Sequence, residues 1–251
     1  MLGQAGHTEF DVRFDLMGIP VRIHPIFWLS SAWLVWDGDN PASVFIGVLC
    51  VLFSVLVHEL GHAVMCRRYG FPSEIVLYFL GGYATSTSFS TWKNVKVSVA
   101  GPAAGLAFFA LSYATLVGLQ DYRPDLLAPG EVASTALRWL LFMNLMWSVI
   151  NLIPTLPLDG GRIMQVLMLR YSPRGAELRI VQASIAAAGG VALWSLFCMN
   201  NRQYNVIPIP QALLTRINVS AIQPDARFML IFFGFLCAQQ IMTYNEMKGR
   251  Y

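Results

Sequence analysis

Between Asn40 and Cys66 the chain carries one formal charge, Glu59. As a helix this stretch would be about 40 Å long, enough to cross a hydrocarbon core about 30 Å thick. An ionised carboxylate at such depth costs about 2.5 to 3.5 kcal/mol on insertion scales, so Glu59 requires a partner or a chemical role. Its neighbours, in His58-Glu59-Leu60-Gly61-His62, suggest one. Residues four apart share a helix face, so His58 and His62 can both present a ring nitrogen to one metal ion while Glu59 keeps its carboxylate free. Two imidazoles and a nearby carboxylate are the parts of a zinc hydrolase.

Composition extends the membrane reading to the whole chain. Hydrophobic residues make up 56% and charged residues 12% of the 251, against norms of about 45–50% and about 25%. Such a chain cannot cover itself with polar surface in water. Uncharged runs predict spans at about 23–36, 41–66, 95–119, 134–153, 177–199 and 226–245, the first of them short. The fold class is therefore mainly α, a polytopic membrane protein of about six transmembrane helices with a small membrane-associated β-sheet. Strands are expected at about 10–23, around a Gly18-Ile19-Pro20 turn, and in a hairpin at about 73–91. There Ile75 to Leu80 is strand-like, Gly81-Gly82 offers a turn, and the Thr/Ser tract 85–91 favours extended backbone. Backbone at membrane depth must be sheltered or face water, and an exposed edge at 75–80 could pair with an extended peptide; alternatively it pairs only with the N-terminal strands.

No second soluble domain or internal repeat is visible, so residues 1–251 read as a single domain. The first 22 residues lack a compact apolar core, which predicts that the first hydrophobic segment is retained as an anchor. Cys50, Cys66, Cys198 and Cys237 lack metal-site spacing and read as small buried hydrophobes. With both termini in the cytoplasm, twelve of the 17 Lys and Arg, among them Arg67, Lys93 and Arg174, fall on the inner side. A multi-pass protein of the cell membrane with cytoplasmic termini is expected.

A third ligand for His58 and His62 has few sources. The other histidines are His7 and His24, and the other acid beside an apolar run is Asp159, in Asn151-Leu-Ile-Pro-Thr-Leu-Pro-Leu-Asp-Gly-Gly-Arg162. Pro154 and Pro157 should interrupt the fourth span and turn a side chain toward a cavity. Asp-Gly-Gly also reads as an ordinary surface turn. Asn151 and Asn144 are side-chain amides in an apolar span, suited to donate to a developing oxyanion or to bond between helices. Gly101 and Gly105 permit close helix approach.

Taken in order, His58-Glu-Leu-Gly-His62, Gly81-Gly82, Ala100-Gly-Pro102 and Asn151-Leu-Ile-Pro154 leading into Pro157-Leu-Asp-Gly-Gly161 resemble the site-2 protease family of intramembrane zinc metalloproteases, in a form without PDZ or CBS domains. The resemblance runs from about Gly18 to Arg162. It implies one Zn²⁺ per chain held by His58, His62 and Asp159, Glu59 as the catalytic carboxylate, and Asn151 near the scissile carbonyl. Members of that family often carry Asn shortly after the Ala-Gly-Pro motif, where this chain has Gly105.

The implied function is hydrolysis of a peptide bond in or near a transmembrane segment of a membrane-anchored protein by zinc-activated water. The partners expected are that substrate, the lipid bilayer, and a regulatory membrane protein or a second copy of the chain; no nucleic-acid partner is expected. A transporter with a metal site would more often show internal repeats and charges along a path. An idle metal-binding scaffold would keep the three ligands without needing Glu59.

Overall fold

The computed structural model describes residues 6–36, 40–79, 81–84, 90–201, 204–209, 216–217 and 222–249. The chain divides into two compact units, Met1–Ser88 with Ala100–Ser148, and Phe89–Val99 with Val149–Tyr251.

In the first unit, β1 (Val12–Leu16) and β2 (Ile19–Ile23) form a hairpin in which Leu16 pairs with Ile19. The loop is thus Met17-Gly18, with φ of 55° and 76°. Positive φ at both central positions matches the right-handed twist of the strands and explains Gly18. The turn is tighter than expected, because Ile19 and Pro20 already lie in β2. Strand β3 (Ile75–Tyr78) runs parallel to β2, with Val21 opposite Ile75, and antiparallel to β4 (Gly81–Ala84).

The sheet order β1-β2-β3-β4 corrects two expectations. Tyr78 pairs with Gly81, so the chain reverses before Gly81-Gly82, and Phe79 takes the positive φ of 24°. More consequentially, β3 is paired on both sides and offers no free edge; the outer strands are β1 and β4. Ile75, Val76 and Leu77 are all at most 2% exposed. Three consecutive buried apolar residues are the mark of a strand covered on both faces. Leu80 and residues 85–89 of the expected hairpin lie outside the described residues.

Helix α1 (Pro25–Leu34) has ten residues, about 15 Å, too short to cross a bilayer as a helix. Its start is set by Pro25 and by His24, whose Nδ1 accepts the Ile26 amide at 3.2 Å. Helix α2 (Pro41–Arg68) is capped by Asn40, whose side-chain oxygen accepts the amides of Ala42 and Ser43, and it ends on Arg67 and Arg68, which suit the negative pole of its dipole. Contacts at both ends of α1 show how residues 17–35 run against α2. The His24 amide donates to the Leu77 carbonyl in the sheet, and Arg67 in the last turn of α2 donates to the Met17 carbonyl at 2.7 Å. At the other end of α1, Val35 lies so close to Gly47 that a methyl group on Gly47 would stand 2.8 Å from its Cβ. Gly47 and Arg67 are about 30 Å apart along α2 at 1.5 Å per residue. The stretch from Met17 to Val35 therefore runs back along α2 for about one membrane thickness, partly as strand and partly as short helix. Ile19, Val21, Ile23, Phe27, Val51, Val55, Ile75, Leu77 and Met143 form the core between them.

Helices α3 (Thr91–Tyr122, with Pro102 inside it) and α4 (Val132–Asn151) are joined through a 3-10 turn at Pro124–Leu127. The second unit contains α5 (Asp159–Tyr171), α6 (Ala176–Asn200) and α7 (Ala226–Lys248). Five helices are long and apolar enough to cross a membrane: α2, α3, α4, α6 and α7. The protein is a multi-pass membrane protein.

Helix α5 lies where a surface turn was the alternative reading. Gly160 and Gly161 belong to its first turn, and the chain of residues 152–156 doubles back against them. A methyl group on Gly160 would stand 2.6 Å from the Ile153 carbonyl oxygen, and one on Gly161 2.5 Å from the Leu156 nitrogen. Both positions need glycine for space, not for a turn. The irregular segment just before α5 is tied to two apolar helices by polar side chains. Thr155 donates its hydroxyl to the Ser184 carbonyl at 3.1 Å, Ser184 accepts the Leu156 amide at 3.2 Å, and Gln240 donates to the Leu156 carbonyl at 3.2 Å. Non-helical backbone survives among spanning helices because these groups take the place of water.

Candidate metal centre

His58 and His62 stand one turn apart on α2, 2% and 6% exposed. Their Nε2 atoms are 3.2 Å apart, with the rings edge to face at a centroid distance of 4.9 Å. Two nitrogens each 2.0–2.1 Å from a tetrahedral zinc ion would stand about 3.3 Å apart, so this pair already has the spacing of two ligands. Glu59, on the same helix, is 4% exposed. Asp159 is the first residue of α5 and 5% exposed. Among the described residues, His58, His62 and Asp159 make up the group of His, Cys, Asp and Glu side chains suited to hold a metal ion, with ligand atoms all within 4.8 Å of one another. Two imidazoles and a carboxylate, all buried, are a donor set that fits zinc.

The histidines considered as alternative ligands are engaged elsewhere. His24 caps α1 and meets the Tyr78 ring edge-on at 5.0 Å. His7 Nδ1 lies 3.3 Å from the Arg13 guanidinium.

Asn151 closes α4 and is 8% exposed. Asn144 acts between helices, where its Nδ2 donates to Ser54 Oγ at 2.9 Å and to the Leu140 carbonyl at 2.8 Å. The bond to Ser54 ties α4 to α2 one turn before His58. Gly105 faces the Ser148 hydroxyl, and no methyl group fits between them without displacement.

Two features of the site escape a reading by residue type. Gly101 lies flat on the His62 imidazole, and Gly61 lies against the Ala100 carbonyl group, 2.9 Å from its carbon to a methyl placed on Gly61. The signal was present in Ala100-Gly-Pro102, but spacing alone distinguishes no glycine that packs against a helix backbone from one that packs against a histidine ring.

A buried His-His-Asp donor set in a chain with five helices able to cross a membrane is that of a membrane metalloprotein, and its order of motifs points to hydrolases. The chain belongs to peptidase family M50, the family of the site-2 proteases, whose model matches residues 46–130 and 126–197, more than half of its length. It is 33% identical over 164 residues to the zinc metalloprotease MJ0392 of Methanocaldococcus jannaschii, a match covering 64% of this chain and 46% of that protein. It is 25% identical over 186 residues to stage IV sporulation protein FB of Bacillus subtilis, covering 71% of this chain and 58% of that one. The chain thus spans about half the length of the curated relatives it matches. The solved structure of a site-2 protease from Methanocaldococcus jannaschii shares the fold, with a TM-score of 0.53, 23% identity, and coverage of 91% of this chain and 95% of that one.

Proposed function

We propose that this protein is an intramembrane zinc metalloprotease that hydrolyses a peptide bond in or near a transmembrane segment of a membrane-anchored protein. The observation that carries this reading is the convergence of His58, His62 and Asp159 within 4.8 Å in a chain with five helices able to cross a membrane. These three residues would hold one Zn²⁺, which when bound would supply Lewis acidity that lowers the pKa of water to about 7.

Glu59 takes a proton from the attacking water as the carbon–oxygen bond forms and delivers it to the leaving amine as the carbon–nitrogen bond breaks. Its position beside both histidines, outside the donor set, suits that shuttle. Asn151 donates its amide hydrogen to the developing oxyanion, an interaction worth about 3 to 4 kcal/mol in well-studied hydrolases. Asn144 is not assigned to the reaction, because its amide is engaged by Ser54 and Leu140.

A substrate helix hides its scissile carbonyl within its own hydrogen bonds and must be unwound. With β3 enclosed, β4 is the outer strand suited to hold an extended substrate by strand addition. Both termini are cytoplasmic and the protein resides in the cell membrane. Twelve of 17 basic residues then lie inside, and the return of residues 17–35 along α2 supplies a sixth crossing. A regulatory membrane protein or a second copy completes the partner set. The test is cleavage of a single-span protein by the purified, zinc-loaded chain: wild type should cut it, and Glu59→Gln should retain zinc and cut nothing. Cleavage by Glu59→Gln at the wild-type rate would remove Glu59 from the mechanism.

A further inference from the structure

His62 meets two neighbours. The His58 ring lies edge to face with it at 76° between planes. The other neighbour is Gly101 of α3. A methyl group at position 101 would approach Cε1 to 2.5 Å and Cδ2 to 2.7 Å, and its three nearest atoms, Nε2 included, all belong to the His62 ring. The neighbouring glycines differ in kind. Gly61 faces the Ala100 backbone, and Gly105 faces the Ser148 hydroxyl. Among the described residues, Gly101 is the glycine whose missing side chain makes room for an imidazole.

An imidazole on an α-helix has two rotatable bonds, and a metal site tolerates errors of about 0.5 Å and about 10–20°. A Cβ at 101 would have to move the ring by about 1 Å to reach ordinary contact, which exceeds that tolerance. We infer that Gly101 is a positioning residue of the metal centre: the bare backbone of α3 is the flat wall that holds His62 Nε2 toward His58 Nε2. The inference rests on the proposed role of His62 as a zinc ligand.

The chain has four histidines, so isotope-labelled histidine gives a spectrum simple enough to follow each ring. In metal-free, full-length Gly101→Ala protein the His62 ring signals should shift while those of His7 and His24 stay in place. Zinc affinity, measured by competition with a chelator, should fall about 10- to 100-fold, the loss typical when a supporting contact behind a ligand is removed. Gly105→Ala should lower stability without that loss of affinity. Because Gly101→Ala could itself fold poorly, a double-mutant cycle on thermal unfolding completes the test. In a His62→Ala background, where the ring is gone, Gly101→Ala should cost little. Unmoved His62 signals with wild-type zinc affinity, or an undiminished stability loss in the His62→Ala background, would overturn the inference. A wild-type chain that binds no zinc would refute the metal reading instead, and the ring shift and the cycle would still report on Gly101.

Discussion

At the scale of single residues, His58, His62 and Asp159 should behave alike and Glu59 differently. On the proposed ligand set, replacing any of the first three by alanine removes one of three protein ligands, and elemental analysis should show zinc per chain falling several-fold. Glu59→Gln preserves shape and leaves all three ligands, so zinc should stay at the wild-type level. Unchanged zinc in Asp159→Ala would mean that the third ligand lies elsewhere. Ser184 carries a different prediction. Its hydroxyl accepts the Leu156 amide in a segment shielded by helices, and Ser184→Ala strands that donor. The cost should be about 1 to 2 kcal/mol, readable as a lowered Tm. The same substitution at an exposed serine of a helix surface should change little, which separates the bond from loss of a hydroxyl.

Elements were legible in proportion to how local their causes are. Helices α2, α3, α4, α6 and α7 appear where uncharged runs place them, because an apolar segment in a bilayer has no cheaper way to satisfy its backbone. Helix α5 was hidden because Arg162 and Arg170 interrupt its apolar residues and its two leading glycines imitate a turn. The sheet was legible as strands but not as an order: whether β3 is an edge depends on what pairs with it, and β2 is more than fifty residues away. That order makes β4 the strand to probe. In a strand, successive amides point to opposite sides. Gly82→Pro and Tyr83→Pro should therefore differ. The proline that removes a bond to β3 should destabilise the sheet, and the one that removes an outward donor should cripple cleavage while fold and zinc are retained. If both variants fold, hold zinc and cleave normally, β4 does not bind substrate.

For the whole molecule, the charge count and the path of residues 17–35 make one topological claim. Five full-length spanning helices alone would leave the termini on opposite sides, and the proposed short first crossing would put them on the same side. Cysteines placed at Lys93 and Arg174 in a cysteine-free background should react only with reagent from the cytoplasm. A cysteine at Gln211, which lies outside the described residues, should react only from the other side. Labelling of the Arg174 and Gln211 positions from one face would contradict the crossing of α6.

What the sequence determined by itself follows from short-range chemistry. A charge-poor chain crosses a bilayer as helices, two histidines four apart share a helix face, and a buried acid between them needs a partner or a chemical role. The tertiary structure decided which strand is enclosed, that Asp159 opens a helix, that Asn144 is bound to Ser54, and that Gly101 walls His62. Each of these depends on groups brought together from distant parts of the chain, where packing distance rather than residue type selects the outcome, and packing distance is not written in a local pattern.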